Sequence, residues 1–509
     1  MDKTFYITTP IYYVNDRPHL GHASTTVWAD VQARYRRLIG QKTFFLTGLD
    51  EHGMKVQQAA EKQGVSPQQH CDEMARHFQE LWKNLLISND DFVRTTQERH
   101  KILVQKFLTE LHQRGAIYKK TYHGWYSKIA EQFVTEKEMV DGKFPAHLGD
   151  VIELEEENYF FKMSEHQPWL VKYIQDHPDW IQPENRRNEI MSWLQKPLDD
   201  LCISRPRSRL SWGIPVPFDS NYVTYVWVDA LVNYISIVGY GSNRLAEFWP
   251  ADWHLIAKDI LTTHAVYWPT MLHALDIEMP RHILAHGFWL KDGQKMSKSL
   301  GNVVNPQEYV AKYGADAFRY FLCRELQLSN DSDFTDNRFL QRFNADLAND
   351  LGNLANRSLS MIQRYRKGVV PDWGEKTASD DEIVEVARVS LADYHKHMEA
   401  IAYHSALEAV WKLISRANRY VDENAPWKLA KDPASSARLD TVLRMLAETT
   451  ALLSHLIAPF MPTIAGKLEE QLNMKTLPPT LVPTPNFLPA SHVIGKPEPL
   501  FPRQQVEAR

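Results

Sequence analysis

The sequence predicts an α/β fold with a mostly parallel sheet, followed by an all-helical C-terminal part. Strand-like and helix-like stretches alternate over residues 5–114, which is typical of a parallel sheet covered by helices. Over residues 115–221 short aromatic-rich runs alternate with polar turns instead, and this change indicates an α+β insertion. Beyond Ser332, long segments with helical apolar periodicity and few glycines predict a helical region.

The first strand, loop and helix carry the first candidate site. Residues 5–9 form a β-prone run that we expect to break at Pro10, and an amphipathic helix follows from Gly21 to about residue 39. His19 and His22 therefore flank a helix start, where unpaired N–H groups and a partial positive charge favour phosphates. Gly21 removes a side chain where ligand and backbone would approach closely. Taken alone, the stretch fits a surface turn equally well.

Further signals continue the alternation along the chain. The predicted strands lie at residues 42–47, 91–94, 253–259 and 282–290, and the predicted helices at 66–87, 98–114, 187–194 and 259–275. Ser66 followed by Pro67 is typical of a helix start. The strand at 42–47 ends in the polar stretch 48–53, at the strand end where ligand-binding groups collect in α/β sheets.

Composition limits the class of protein. A chain of 509 residues with 44% hydrophobic residues can build two to four domains. No apolar run approaches the roughly 18 residues that span a bilayer, and no secretory leader pattern precedes the first strand. We therefore expect a cytoplasmic protein with no membrane association. The net charge of −5 argues against a globally basic nucleic-acid coat, but it allows a local RNA site.

The cysteines carry no metal or redox motif. Cys71, Cys202 and Cys323 are far apart in the sequence. This spacing excludes a cysteine-based zinc knuckle, and it makes disulfides unexpected in a reducing cytosol. We interpret all three as small core residues.

A lysine-rich loop follows the last predicted strand. Residues 291–302 contain Lys295, Ser297, Lys298 and Ser299 between two glycines. Lysines on a mobile loop can close over a polyphosphate and neutralise charge that develops on a leaving group. Taken alone, such a run fits a solvated basic loop better.

The two signals together resemble a known family. His-Leu-Gly-His at 19–22 and Lys-Met-Ser-Lys-Ser at 295–299, in this order, resemble the paired motifs of class I aminoacyl-tRNA synthetases. The residues between and beyond them are similar to the methionyl-tRNA synthetase family over almost the full length. The similar segments are 9–15, 46–53, 212–217, 225–231, 258–260, 353–357, 424–427 and 495–503.

The resemblance implies an architecture. A Rossmann-type catalytic domain would comprise 1–114 and 222–331, with the lysine loop and a stem region to about 345, and a connective-peptide insertion would occupy 115–221. An α-helical-bundle anticodon-binding domain would occupy 346–476. A proline-rich C-terminal strap would follow at 477–509, where eight prolines lie between residues 477 and 502. We expect no further C-terminal tRNA-binding module of the kind that drives dimerisation in some relatives, and we therefore expect a monomer.

The resemblance also implies an activity and partners. The expected reaction joins L-methionine and ATP into methionyl-adenylate with release of pyrophosphate. The methionyl group then passes to the 3′-terminal ribose of initiator and elongator tRNA(Met). Mg²⁺ is expected with the ATP, and no structural zinc is expected. Little covalent chemistry falls to such a protein, so its catalysis would consist of positioning and charge stabilisation.

The resemblance assigns site residues by position. His19, His22, Lys295 and Lys298 would be catalytic. The ATP-binding set would be His19, Gly21, His22, Asp259, Lys295, Ser297 and Lys298. The methionine-binding set would be Ile11, Tyr13, Asp50, Trp227, Ala230, Leu231, Tyr234, Ile260, His264 and Tyr267. The anticodon-binding set would be Asn353, Arg357 and Trp427.

The residue types of these sets suit their roles. Asp50 would bind the substrate ammonium, and aromatic and aliphatic walls suit a flexible thioether. Tyr13 and His264 would offer polar groups to the weakly accepting sulfur. An exposed indole with nearby amide and guanidinium groups can stack and read unpaired anticodon bases.

Two departures from the family pattern stand out. Members often carry zinc knuckles in the insertion, but here Trp125 and Tyr126 are followed by Ser127, and no cysteine lies between Cys71 and Cys202. The insertion must therefore hold together by packing. Ala257 precedes Lys258 where glycine is common, a change that should leave the ribose contact of Asp259 intact.

Several alternatives stay open from sequence. Other class I synthetases are the nearest, although those for isoleucine, valine and leucine carry a much larger editing insertion and the cysteine enzyme needs a zinc site. A catalytically inactive, synthetase-like RNA-binding protein would be expected to lose His19, His22, Lys295 or Lys298. A nucleotidyltransferase would share the histidine motif, but it would not need a helical domain with Asn353 and Trp427.

Overall fold

The computed structural model of this chain describes residues 4–127, 132–134, 139, 143–145, 149–296, 301–325, 330–474, 487–489 and 491–502. The first part alternates strands and helices, as expected for one half of a parallel sheet. Its elements are β1 (Phe5–Tyr13), α1 (Leu20–Leu38), β2 (Thr43–Asp50), α2 (Met54–Gln63), α3 (Pro67–Asn84), β3 (Asp91–Arg94) and α4 (Glu98–Gln113).

The middle part mixes strands with short helices. Its elements are β4 (Ile117–Ser127), β5 (Gln132–Val134), β6 (Val151–Phe161), α5 (Gln167–Asp176), β7 (Ile181–Gln182), α6 (Glu184–Trp193), β8 (Leu201–Cys202), β9 (Ser204–Pro206), β10 (Pro215–Val216) and β11 (Asp219–Thr224). A short 3₁₀ segment, Met163–His166, precedes α5. β5, β4, β6 and β8 form an antiparallel sheet, and β10, β11 and β9 form a smaller one.

The alternating pattern then returns. Its elements are α7 (Val226–Ser236), α8 (Leu245–Phe248), β12 (Trp253–Ala257), α9 (Trp268–Ala274), β13 (Ile283–His286), β14 (Trp289–Lys291), β15 (Gln294–Lys295), α10 (Pro306–Tyr313), α11 (Ala315–Glu325), β16 (Ser332–Phe334) and α12 (Asp336–Arg342). A 3₁₀ turn, Lys258–Ile260, and a π-helical segment, Thr263–Tyr267, lie between β12 and α9.

The C-terminal part is helical. A π-helical segment, Phe343–Gly352, leads into it. Its helices are α13 (Asn353–Arg366), α14 (Ala378–Glu399), α15 (Tyr403–Asn424), α16 (Pro426–Leu429), α17 (Ser436–Ile457) and α18 (Pro462–Gln471). A 3₁₀ turn, Pro433–Ser435, precedes α17. The described tail lies against these helices, where Leu488, Ile494 and Leu500 are buried and Val493 bridges to Val369.

Six described strands form the central parallel sheet in the order β3-β2-β1-β12-β13-β7. The sixth strand comes from the insertion. One apolar core covers each face of the sheet, and the core that contains α1 continues into the helical C-terminal part. The predicted α/β fold class with a helical C-terminal part is confirmed.

Local structure differs from expectation at three strands. β1 does not break at Pro10 but continues to Tyr13, with a register shift after Thr8 that accommodates the proline. The run 253–259 leaves the strand conformation after Ala257. The run 282–290 divides into β13 and β14, which belong to different sheets. At this division a Cβ on Gly287 would lie 2.3 Å from the Asn330 carbonyl oxygen, so the close approach requires glycine.

A buried ion pair joins three parts of the chain. Asp30 on α1 and Arg319 on α11 are both fully buried, 2.7 Å apart. The Arg319 guanidinium also donates to the carbonyls of Leu85, Pro459 and Phe460 at 2.8–3.0 Å. Burial opposes ionisation of Asp30, but the charges of Arg319 and Arg34 and two hydrogen bonds from Ser88 outweigh it, and the Asp30 pKa is lowered.

We expect Asp30→Asn to destabilise the fold by about 3–5 kcal/mol, because it leaves a buried guanidinium uncompensated. The free energy of unfolding, measured by chemical denaturation at pH 7, checks this. The lowered pKa makes the Asp30 contribution fully present at neutral pH and lost as pH falls below about 4. The control is Arg388→Met, which removes an exposed pair with Glu385 and should leave the free energy of unfolding nearly unchanged. Equal effects of the two variants would contradict the expectation.

Candidate active site

The candidate site lies where the strand order of the central sheet reverses. β1 and β12 are neighbours, and the chain leaves β1 toward β2 on one side while β13 lies on the other. In parallel sheets of this kind, ligands bind outside the carboxyl ends of the strands at such a switch point. Here those ends carry Ile11 and Tyr13 on β1, Asp50 on β2, and Asp259 just after β12.

His19 and His22 form a local hydrogen-bonded pair at the start of α1. His19 is the N-cap, and its Nδ1 accepts the Gly21 N–H at 3.1 Å. The His22 Nδ1 accepts the His19 N–H at 3.2 Å, which completes a capping box made of two imidazoles. The rings stack with their centroids 3.9 Å apart. A Cβ on residue 21 would lie 3.0 Å from the His19 Cε1, so Gly21 makes room for this ring.

The two rings are poised to donate hydrogen bonds. Burial lowers the pKa of His19. Burial, together with the neighbouring His19, holds the pKa of His22 well below its usual value. Both rings are therefore neutral at pH 7, and because each Nδ1 accepts a backbone N–H, the ring proton sits on Nε2. Tyr12, which sequence reasoning missed, packs edge-on against His22 at 4.8 Å and bonds Thr26 at 2.8 Å.

The predicted methionine-binding residues converge from separate elements. Asp50 is buried and lies beside Tyr13 in the β1–β2 register. Ala230, Leu231, Tyr234 and His264 are buried. The half-buried members pack against one core cluster; they are Ile11, Tyr13, Trp227, Ile260 and Tyr267.

His264 orients Tyr234. The His264 Nδ1–H donates to the Ile260 carbonyl at 2.9 Å, so its Nε2 accepts the Tyr234 hydroxyl at 2.7 Å. Burial lowers the pKa of His264 to about 4, which keeps the ring neutral. His264 therefore has no N–H for a substrate sulfur in this arrangement. His264 and Tyr267 both lie on the π-helical segment Thr263–Tyr267, a deviation that often occurs at functional sites.

The lysine loop begins with a tight hairpin. Asp292 and Gly293 both have positive φ, 52° and 74°, as a two-residue type I′ turn between β14 and β15 requires. The Lys295 ammonium lies 5.3 Å from the Phe288 ring centroid, and the Lys258 ammonium lies 4.6 Å from it. Lys258 also pairs with Asp331 at 2.7 Å.

Asp259 lies within electrostatic reach of this loop. Burial raises the pKa of Asp259, and the positive charge of Lys295 partly offsets the shift. Asp259 and Lys295 are thus brought to one side of the switch point. Ser297 and Lys298, the other predicted ATP-binding residues of the loop, lie outside the described residues.

The predicted anticodon-binding residues lie on the helical part. Asn353 is the exposed first residue of α13, and Arg357 lies one turn later. The Arg357 guanidinium lies 5.8 Å from the Trp427 ring centroid and bonds Asp422 at 2.8 Å. Trp427 remains 38% exposed, so part of its indole is accessible beside a cation. The structure thus brings Arg357 and Trp427 together from different helices.

Sequence reasoning did not single out one further buried side chain at the site, that of His52. His52, which follows Asp50 closely, contacts Asp229 on α7 and lies in the same polar stretch that indicated a ligand site. Within the described part of the chain, no three His, Cys, Asp or Glu side chains are grouped to hold a metal ion. Among the same residues, no helix is long and apolar enough to cross a membrane.

Comparisons with known proteins match this architecture. The family model described as "tRNA synthetases class I (M)" matches residues 5–151 and 148–359. The model described as "Anticodon binding domain of methionyl tRNA ligase" matches residues 370–509.

Individual proteins are similar over nearly the whole chain. The methionine–tRNA ligase of Caldanaerobacter subterraneus subsp. tengcongensis is 46% identical over 477 residues, 93% of this chain and 74% of the relative. That of Clostridium tetani is 45% identical over 511 residues, 100% of this chain and 79% of the relative.

Two solved structures are also similar. Mycobacterium tuberculosis methionyl-tRNA synthetase in complex with methionyl-adenylate superimposes with a TM-score of 0.93 at 40% identity, over 98% of this chain and 100% of that one. The apo form of the same enzyme gives a TM-score of 0.87 at 37% identity, over 99% of each chain. With both family models and these relatives in agreement, this chain belongs to the class I methionyl-tRNA synthetase family.

Proposed function

We propose that this chain is a methionine–tRNA ligase. The carboxylate of L-methionine attacks the α-phosphorus of ATP, the bond to the β-phosphate oxygen breaks, and methionyl-adenylate and pyrophosphate form. A ribose hydroxyl at the 3′ end of tRNA(Met) then attacks the activated carbonyl and releases AMP. The observation that carries this proposal is that a phosphate-suited helix start, a buried carboxylate and apolar side chains of one core cluster meet at one switch point.

The ATP half of the reaction uses donors fixed before substrate arrives. The Nε2–H groups of His19 and His22 bind phosphate oxygens at the positive end of α1. Lys295 and Lys298 neutralise charge on the departing pyrophosphate, with Ser297 in the same loop, and Asp259 binds the ribose hydroxyls. Gly21 serves ATP indirectly, because it allows the His19 ring to lie back over the helix start. Catalysis is then positioning and electrostatic stabilisation.

The methionine half binds the two ends of the amino acid separately. Asp50, buried at the end of β2, pairs with the ammonium group. Trp227, Ala230, Leu231, Ile260, Tyr267 and the β1 residues Ile11 and Tyr13 surround the thioether side chain. The Tyr234–His264 hydrogen bond closes the pocket with both polar groups already satisfied, which favours an apolar group over one that needs a donor.

The proposal assigns the division of labour to the predicted domains. The Rossmann-type segments 1–114 and 222–331 with their stem to about 345 bind methionine and ATP, and the connective-peptide insertion 115–221 lies between them in the sequence. The helical segment 346–476 binds the anticodon through Asn353, Arg357 and Trp427, and residues 477–509 are assigned to the proline-rich strap. Mg²⁺ would arrive with ATP, bound mainly through the phosphate oxygens, and would offset part of their charge.

The proposal also includes a monomer in the cytoplasm. Cys71, Cys202 and Cys323 are buried free thiols, which suit a reducing compartment. Large exposed apolar side chains lie on separate elements, as Ile102 on α4, Trp193 on α6 and Val389 on α14 do. The mass in solution, measured by light scattering, tests the monomer.

Amino-acid-dependent ATP–pyrophosphate exchange tests the proposed function. We expect exchange with L-methionine to exceed exchange with each of the other nineteen amino acids, because the pocket combines a buried carboxylate with apolar walls. The assay measures radiolabelled pyrophosphate incorporated into ATP. Another class I specificity would show a different amino acid as the best substrate, and an inactive RNA-binding relative would show no exchange at all.

The histidine geometry predicts opposite results for two His22 variants. Asn places an amide near the Nδ1 position and keeps the cap, but it lacks a donor at the Nε2 position. Gln places its amide donor near Nε2. We expect His22→Asn to slow exchange about 100-fold, as the loss of a preorganised transition-state donor does, and His22→Gln to retain much more activity. Saturating rates at pH 7.5 measure this, and a greater loss with Gln than with Asn would contradict it.

The predicted division between the domains has a separate test. We expect Trp427→Ala to leave methionine-dependent exchange unchanged but to lower tRNA(Met) charging by about 10-fold or more, because one stacked base contributes roughly 1–3 kcal/mol. Exchange and charging are measured on the same preparation. Val389→Ala, which truncates another exposed apolar side chain, should change neither. Equal losses of exchange and charging in Trp427→Ala would contradict the division.

A further inference from the structure

Three buried titratable side chains form a hydrogen-bonded network that links two sides of the site. Asp229 accepts a hydrogen bond from the His52 Nδ1 at 2.6 Å with one oxygen. Its other oxygen accepts from the His100 Nε2 at 2.8 Å. The three side chains are 0–5% exposed. The His100 Nδ1 in turn bonds the Ser236 hydroxyl at 2.9 Å, at the far end of α7.

His52 and Asp229 lie next to the proposed substrate-binding residues but do not belong to that set. His52 lies two positions after Asp50, which is proposed to bind the ammonium group. Asp229 lies on α7 between Trp227 and Ala230, which are proposed to contact the thioether. The His52–Asp229 bond therefore joins the segment that binds one end of methionine to the helix that binds the other end.

The segment around His52 is held against a second support. The Trp212 Nε1–H donates to the Glu51 carbonyl at 2.6 Å, and the Gly53 N–H donates to the Trp212 carbonyl at 3.2 Å. The Trp212 ring lies 5.4 Å from the His52 ring. His52 is thus held on one side by Trp212 and on the other by Asp229. Because His52 cannot shift freely, its bond to Asp229 fixes the position of α7 relative to this segment.

The Asp229 carboxylate binds these partners as an ion. Burial opposes its ionisation, but His52 and His100 outweigh burial and the pKa of Asp229 is lowered. A charge held away from water requires its donors, because their removal leaves it unsatisfied. The two histidines therefore define where Asp229, and with it the start of α7, can lie.

We infer that His52 and Asp229 are positioning residues that set the distance between the ammonium-binding Asp50 and the thioether pocket on α7. This inference rests on the proposed function. A substrate must span both ends at once, so a fixed spacing selects an α-amino acid with a side chain of methionine's length. Loosening the His52–Asp229 bond lowers the affinity for ligands that use both ends more than the affinity for ligands that use the thioether pocket alone.

Two ligands that differ only in the ammonium group test the inference. L-methionine uses both ends, whereas 4-(methylsulfanyl)butanoate lacks the amine. Dissociation constants for both are measured by tryptophan fluorescence titration of the full chain. We expect Asp229→Asn and His52→Leu to raise the dissociation constant of L-methionine between about 10- and 100-fold. The dissociation constant of the desamino ligand should rise less than about 3-fold. His52→Asn, which places an amide donor near Nδ1, should restore most of the L-methionine affinity.

Controls separate positioning from general destabilisation. Asp380→Asn also removes a buried carboxylate that pairs with an arginine, here Arg438 in the helical part, and it should leave both dissociation constants unchanged. Thermal unfolding shows whether each variant is folded, and if Asp229→Asn unfolds, the comparison of His52→Leu with His52→Asn decides. Equal weakening of both ligands, no weakening, or no rescue by His52→Asn overturns the inference.

Exchange and ligand binding of the wild-type chain test the proposed function independently of the variants. If the wild-type chain supports methionine-dependent exchange and prefers L-methionine to the desamino ligand, the proposed function stands whatever the variants show. If it does neither, the proposed function fails first.

Discussion

The constraint on which this structure most depends is the desolvated ion pair between Asp30 and Arg319. Asp30 lies on the helix whose first turn carries His19 and His22, and Arg319 reaches the carbonyls of Pro459 and Phe460 beyond the last turn of α17. Asp30 and Arg319 each require partners, since a buried charge without partners is strongly unfavourable. Helix α1 is thereby held in one position relative to the helical part.

Local hydrogen bonds and hydrogen bonds between separate segments both fix donors and acceptors at the site. At the start of α1, hydrogen bonds within four residues decide which ring nitrogen of His19 and His22 carries the proton. Around His264 a local bond to the Ile260 carbonyl places the ring proton, and the Tyr234 hydroxyl, from a segment 30 positions away, then donates to the free Nε2. Both kinds fix donors and acceptors before a ligand binds, which is the form of preorganisation that catalysis by positioning needs.

The proposed methionine site is more apolar than the types of its residues suggest. Tyr13 and His264 were expected to offer polar groups to the thioether sulfur, but the His264 Nε2 accepts the Tyr234 hydroxyl. His264 therefore acts on the pocket through Tyr234. Sulfur is a weak acceptor, so a pocket whose polar groups are satisfied internally loses little with methionine and disfavours ligands that require a donor.

Periodicity, turn chemistry and paired motifs in the sequence alone determined the α/β class, the helical C-terminal part and the candidate residues at the strand ends. Ser66 as an N-cap depends on its neighbours in the chain, and such a feature can be predicted from local sequence. Only the tertiary structure decided that β1 continues past Pro10, that the run at 282–290 divides between two sheets, and that His52 meets Asp229. The last contact joins residues 177 positions apart, and no local pattern encodes it, because a buried hydrogen bond depends on where two segments meet after folding.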